Sequence, residues 1–199
     1  MSSTIYLEGG GESRDLHIRC REGFCKLLER CGYAGRLPKL KACGGRSTAF
    51  DDFKTALANA REGDFVALLI DSEDPVADIE TTWEHLQKRD HWAKPREATD
   101  EQVLLMTTCM ETWIVADRAT LASHYGNDLQ ESALPALPDL EARARDTIQN
   151  TLTQATRNCS NAYIKGKRSF EVLGQLEPAT LSEHLPSFVR VRRILDARL

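Results

Sequence analysis

The segment Phe65-Val66-Ala67-Leu68-Leu69-Ile70 constrains this chain more than any other: it is apolar without interruption and bounded by Gly63-Asp64 and Asp71. A strand with one wet face alternates polar and apolar residues, whereas a short unbroken run between turn residues marks a strand covered on both sides. Such a strand belongs in the middle of a parallel sheet flanked by helices. The segments around it fit that setting. Thr4-Ile5-Tyr6-Leu7 is strand-like and runs into Glu8-Gly9-Gly10-Gly11-Glu12, where the glycines break any regular pattern. Ser13 then caps a helical pattern carried by Leu16, Phe24, Leu27, Leu28 and Cys31, which Gly32 ends. Lys39 to Cys43 is a weak second strand ended by Gly44-Gly45, and Ser47 or Thr48 is placed to cap a helix carrying Ala49, Phe50, Phe53, Leu57 and Ala60. A helical run is expected after Pro75, a fourth strand at Val103 to Met106, and a helix from about Glu111.

Strands alternating with helices predict an α/β fold with a parallel sheet, in which ligands gather at the carboxyl ends of the strands. With 199 residues, there is room for one domain, alone or with an appendage. Residues 1–126 are expected to form the α/β domain. The stretch 127–139, with Pro135 and Pro138 following Gly126-Asn127-Asp128, reads as a linker or long loop. Residues 140–199 read as a helical extension, either separate or packed on the first domain as one unit, with helices over Leu140 to Thr156, Ser169 to Leu176 and Ser187 to Leu199.

Composition excludes several classes. With 41% hydrophobic and 28% charged residues the chain is globular, not disordered. Its longest apolar run is far short of the ~18 residues a membrane span needs. Met1-Ser2-Ser3-Thr4 runs into a strand with no leader-like pattern, so a cytoplasmic protein without membrane partners is expected. Six cysteines lack any C-x-x-C or paired histidine spacing and read as reduced core thiols rather than zinc ligands or disulfides. Charge divides along the chain. Residues 1–156 carry 18 basic and 26 acidic side chains, and residues 157–199 carry 8 and 4, so an overall charge of -4 conceals a basic tail.

The chemistry-bearing residues cluster at predicted strand ends. Glu8 and Glu12 flank the glycines, while Asp71, Glu73 and Asp74 follow the central strand. Carboxylates converging on one edge repel unless cations intervene, and their hard oxygens suit Mg²⁺ or Mn²⁺. The plain alternative is that these acids start helices, as acids commonly do. Glu111, just past the fourth strand, can join the same edge or serve as a first-turn acid. The glycines do not make a dinucleotide fingerprint, because Arg14 stands where the third glycine belongs. Gly44-Gly45-Arg46-Ser47-Thr48 lacks the lysine of a phosphate-binding P-loop, although Arg46 and the helix start can still hold a phosphate. Lys165, Lys167 and Arg168, grouped around Gly166, can clamp a phosphate backbone or simply form a solvated turn.

Taken together, Glu8-Gly9-Gly10-Gly11-Glu12 and Asp71-Ser72-Glu73 resemble the two signatures of the TOPRIM (topoisomerase–primase) fold, an E-G-x-x-E turn after the first strand and a D-x-D-like turn after the third. Ala42 to Arg46, Met110-Glu111-Thr112-Trp113 to Asp117, and Tyr163 to Phe170 extend the resemblance to an uncharacterised bacterial TOPRIM-like family over nearly the whole chain. The resemblance implies metal binding by Glu8, Glu12, Asp71, Glu73 and Glu111, with Asp74 a rival ligand because Glu73 replaces the second aspartate. It also implies a phage-defence effector encoded beside an ABC-type or AAA ATPase. The expected activity is a Mg²⁺- or Mn²⁺-dependent nuclease on DNA or RNA. The catalytic carboxylates would be Glu8, Glu12, Asp71, Glu73 and Glu111, and the phosphate backbone would be held by Arg46, Lys165, Lys167 and Arg168. No convincing tyrosine nucleophile stands out, which favours hydrolysis over strand passage. The alternatives are a non-catalytic regulatory partner of an ATPase and a nucleotide phosphohydrolase.

Overall fold

The structure, a computed structural model, describes residues 2–199. Its centre is a four-stranded parallel sheet of β1 (Ser3–Leu7), β2 (Lys39–Ala42), β3 (Phe65–Asp71) and β4 (Val103–Met106), in the order β2-β1-β3-β4. Every residue of β3 is buried, because the strand lies between β1 and β4 and both its faces are covered. The alternation of side chains sorts its residues into two cores. Val66, Leu68 and Ile70, with Tyr6, Val103 and Leu105 of the neighbouring strands, pack under α2 (Arg46–Ala58) and α3 (Thr82–Asp90) through Phe50, Phe53, Trp83 and Leu86. Phe65, Ala67 and Leu69, with Ile5, Leu7, Leu104 and Met106, face the other way, onto α1 (Arg14–Leu28) and the helices that follow β4. The expected α/β fold with a parallel sheet flanked by helices and a helical C-terminal region is therefore found, and it is consistent with a TOPRIM-like arrangement.

The helices after β4 are α4 (Met110–Ala116), α5 (Arg118–Tyr125), α6 (Arg145–Thr156), α7 (Ser169–Leu173), α8 (Pro178–His184) and α9 (Pro186–Arg198). Leu140, Ile148, Leu152, Phe170, Leu173, Leu185, Phe188 and Leu195 belong to the same apolar cluster as Ile5, Leu7 and Leu69. Leu129, Leu134 and Leu137 pack against it too, so the 127–139 stretch lies against the core, with short helical turns at Gly126–Asp128 and Glu131–Ala133. Residues 140–199 thus share one apolar cluster with the sheet. Among the described residues no helix is long and apolar enough to cross a membrane.

Several local expectations shift. Ser13 caps α1 as expected, its Oγ accepting from Leu16 N at 3.2 Å. The helical path continues through a wide turn, Glu29–Tyr33, where Gly32 departs at φ 95°. Neither Ser47 nor Thr48 caps α2, which begins at Arg46 behind Gly45. The helix expected after Pro75 begins only at Thr82, and the one expected from Leu140 begins at Arg145 after a single turn at Leu140–Ala142. The helix expected from about Glu111 is two, broken at Asp117, whose carboxylate accepts from Thr120 N at 3.0 Å and from Glu177 N at 2.8 Å. The cysteines are free, with Cys20, Cys31, Cys109 and Cys159 buried. Burial pushes the Cys20 thiol up to about 12 and Cys31 to about 11, so both are protonated thiols at neutral pH.

Candidate metal centre

The carboxyl ends of β1 and β3 meet at one edge. Glu8 directly follows β1 and is held beside β3 by its N–H, which donates to Leu69 O at 3.0 Å. Asp71 ends β3, and Glu73 lies two residues on, in a left-handed conformation at φ 69° that is uncommon outside glycine. The main chain and the His85 ring fix this turn: Ser72 N donates to Met106 O at 3.0 Å, Glu73 N to Thr108 O at 2.8 Å, and His85 Nε2 to Ser72 O at 2.9 Å. As a result Glu8, Asp71 and Glu73 each present an oxygen within 4.8 Å of the others.

The glycines form the next wall. Gly9 and Gly44 exchange main-chain hydrogen bonds of 2.9 and 3.0 Å, pinning the turn after β1 to the turn before α2. Gly44 adopts φ 76°, and a Cβ there would collide with Gly11 O, so only glycine permits this closeness. His17 Nε2 donates to Gly11 O at 2.7 Å and holds the far end of the loop. Between the glycines and the Lys165–Phe170 segment lies an open cleft of about 310 Å³. Glu8, Asp71, Glu111, Arg145 and Lys165 all reach it.

Each acid has a distinct environment. Asp71 is 8% exposed, and its Oδ1 accepts from Met110 N at 2.8 Å, capping α4 rather than a helix near Pro75. Burial, reinforced by the charges of Glu8 and then Glu111, pushes its carboxyl up to about 8, with Arg145 acting in the opposite direction. Oε2 of Glu8 accepts from Asp71 N and from Arg46, both at 3.2 Å. Glu111 is 1% exposed and points to Tyr163, whose hydroxyl donates to Oε1, and to Gln149 Nε2, 3.2 Å from Oε2. Burial and the neighbouring Glu111 hold the Tyr163 hydroxyl well above the usual phenol range.

Of the residues expected at the site, the structure gathers Glu8, Asp71 and Glu73. Glu111 borders the same cleft, but its oxygens are engaged elsewhere. Glu12 is exposed beyond the glycines, and Asp74 is exposed and pairs with Arg89 at 3.4 Å; neither belongs to the carboxylate group. Of the basic residues, Lys165 lines the cleft. Lys167 is exposed outside it, and Arg168 turns back to donate to Ala162 O at 2.9 Å. Arg46 is engaged internally with Glu8, the Asp71 carbonyl and both oxygens of Asp90, at 3.2 and 2.8 Å.

Three contributors were not expected at the site, although Tyr163 opens one of the segments that carry the resemblance. Arg145, at the start of α6, pairs with Glu73 and lies 3.8 Å from Asp71 Oδ2. Asp90 anchors Arg46 and Arg89, and Tyr163 holds Glu111. Arg145 reaches the edge from the start of α6 and Tyr163 from the loop before α7, and local sequence carries no trace of either meeting. Asp90 ends the charged run Lys88-Arg89-Asp90, which reads as an ordinary solvated helix end.

The donor set fits a hard divalent cation: three carboxylates converge at the mouth of an open cleft, one of them desolvated and repelled by its neighbours. Comparison with curated proteins and with solved structures finds no match. A family model does match, spanning most of the chain and including β3, the carboxylate edge and the C-terminal helices. The chain belongs to the family described as Domain of unknown function (DUF4276), whose model covers residues 7–196.

Proposed function

We propose that the chain is a Mg²⁺- or Mn²⁺-dependent phosphodiesterase acting on nucleic acid. The observation that carries this reading is the convergence of Glu8, Asp71 and Glu73 at the carboxyl edge of a parallel sheet, beside a cleft that also holds Lys165. Glu8, Asp71 and Glu73 would hold the cation, with Glu12, Asp74 and Glu111 outside the gathered set. When bound, the cation supplies Lewis acidity toward a phosphodiester and lowers the pKa of water. Asp71, fixed through Oδ1 by the Met110 N–H, keeps Oδ2 toward the cleft side. Glu8 uses Oε2 to brace itself against Asp71 N and Arg46, which leaves Oε1 to take a proton from an attacking water. Lys165 binds the substrate phosphate. On the resemblance to TOPRIM-like proteins, we read the enzyme as a cytoplasmic phage-defence effector that works with an ABC-type or AAA ATPase.

The test incubates wild type and Glu8→Gln with plasmid DNA, tRNA and ATP, in Mn²⁺ or in EDTA. Cleavage of a nucleic acid by wild type, only with metal and reduced about 100-fold or more in the variant, is the expected result. Turnover of ATP alone would move the reading to a nucleotide phosphohydrolase. A second reading rests on the arginines: Arg46, Arg89 and Arg145 together pair with all three carboxylates, as in a site built for structure. On that reading the chain is a non-catalytic partner of an ATPase, inert on all three substrates with and without metal.

A further inference from the structure

Arg145 occupies an electrostatically awkward position. It opens α6, where the exposed N–H groups make the helix end positive, so a cation there is disfavoured unless acids compensate it. The compensation comes from Glu73 and, at 3.8 Å, from Asp71 Oδ2. Among the described residues these are its only ion-pair partners, and they are two of the three carboxylates assigned above to the cation. The other guanidiniums at this edge are held differently. Arg46 keeps Asp90, and Arg89 keeps Asp74 and Asp90, whatever happens at Asp71 and Glu73. Arg145 alone is held solely by the proposed ligand pair, and its side chain, 22% exposed, borders the cleft that Lys165 also lines.

We propose, resting on the metal reading above, that Arg145 is a displaceable counter-ion that becomes a phosphate ligand. In the metal-free protein it pairs with Glu73 and lies against Asp71 Oδ2. Once a divalent cation takes those oxygens, Arg145 loses its partners, is repelled by the new charge and turns into the cleft, where its guanidinium joins Lys165 on a substrate phosphate. A guanidinium suits this second role because its planar fork of donors matches phosphate oxygens two at a time. Phosphate binding is therefore coupled to cation binding: one cleft cation, Lys165, is available without metal and two with it.

The test compares wild type, Arg145→Gln and Arg145→Lys at pH 8. Mn²⁺ affinity is measured by calorimetry, and binding of a short fluorescein-labelled DNA oligonucleotide by anisotropy in Ca²⁺ or EDTA. Removing the competing charge should tighten Mn²⁺ binding in Arg145→Gln by about tenfold. Ca²⁺ should raise oligonucleotide affinity in wild type by about tenfold, and Arg145→Gln should keep only the part of this gain that the cation itself supplies. A static counter-ion would change oligonucleotide affinity by the same factor in Ca²⁺ and in EDTA, so a smaller Ca²⁺-dependent gain is the readout that marks displacement. Unfolding midpoints in EDTA check that each variant folds. If the Gln variant does not fold, Arg145→Lys decides: the charge is kept, so Mn²⁺ affinity should stay near that of wild type, while the lost fork of donors should reduce the Ca²⁺ gain. Equal or weaker Mn²⁺ binding in folded Arg145→Gln, or an undiminished Ca²⁺ gain in the folded variant used, overturns this inference and leaves the metal reading intact. No Mn²⁺ binding by wild type or variant overturns both.

Discussion

At the scale of single residues, Arg46 is surrounded by acceptors: Glu8, the Asp71 carbonyl and both oxygens of Asp90, with the Trp92 ring 5.1 Å from its guanidinium carbon. Its side chain is 13% exposed and that of Asp90 9%. Removing one partner of such a buried network leaves the other charges desolvated and unpaired, which typically costs about 3–5 kcal/mol. Arg46→Met should therefore lower stability in urea unfolding by about that amount. Unchanged stability with weakened oligonucleotide binding would return Arg46 to the phosphate-clamping role its sequence context suggests. Asp71 adds a pH dependence. Its carboxyl is raised from the ordinary range to about 8, so the metal-free protein binds this proton more tightly than the unfolded chain does. The resulting stability is complete below about pH 4 and is lost as pH rises through about 8. In EDTA, Asp71→Asn keeps the cap on Met110 N–H and should flatten the decline between those limits. Parallel stability profiles for wild type and variant would show that the carboxyl titrates normally. The pairing of Asp71 with the α4 N-terminus explains why its helix-starting role was only half legible: the cap is real, but the helix begins 39 residues away rather than at Pro75.

At the scale of elements, the crossing of α1 and α7 controls where the Lys165 segment lies. Gly23 sits inside α1, and a Cβ there would come within 2.5 Å of Phe170 O. Glycine inside a helix ordinarily disfavours it by about 0.5–1 kcal/mol relative to alanine, so Gly23→Ala gains propensity and loses contact. Contact should win, because the obstacle is main chain and overpacking typically costs about 1–3 kcal/mol. A lower thermal midpoint is the expected result, and a raised one would show that α7 yields freely. The strands were legible to within a residue because short apolar runs between polar or turn residues are local signals, as at Val103–Met106 and Phe65–Asp71, and Gly44-Gly45 marks the end of β2. The late start of α3 and the break at Asp117 were not. Asp117 caps α5 while accepting from Glu177, a contact that exists only once α8 has docked. The site divides in the same way. Glu8, Asp71 and Glu73 follow strands whose ends can be read, whereas Arg145 and Tyr163 arrive through tertiary packing.

At the scale of the whole molecule, the boundary suggested by charge and prolines near residues 126–139 is not a boundary of the core. One face of the sheet, with Ile5, Leu7, Leu69 and Leu104, is covered by apolar residues from both sides of that stretch, including Leu152, Phe188 and Leu195. Fully burying each such side chain contributes about 1.5–3 kcal/mol, and native stabilities are only about 5–15 kcal/mol, so the N-terminal part cannot spare this cover. Arg190 tightens the attachment. Its guanidinium donates to Val103 O at 2.9 Å and Asp100 O at 2.7 Å, and pairs with Glu80, joining α9 to the start of β4. The fragment 1–139 should therefore bind a hydrophobic dye and melt without a cooperative transition, while the full chain unfolds in one step by both circular dichroism and tryptophan fluorescence. A fragment that melts cooperatively would show that the α/β part is an independent domain. The expected result also bears on charge. If residues 157–199 cannot separate from the acidic part, Lys165 stays in the cleft beside the carboxylates while Arg190, Arg193 and Arg198 stay paired with Glu80 and Glu101, so an acidic chain offers a polyanion a few cleft cations rather than the tail's whole excess of four.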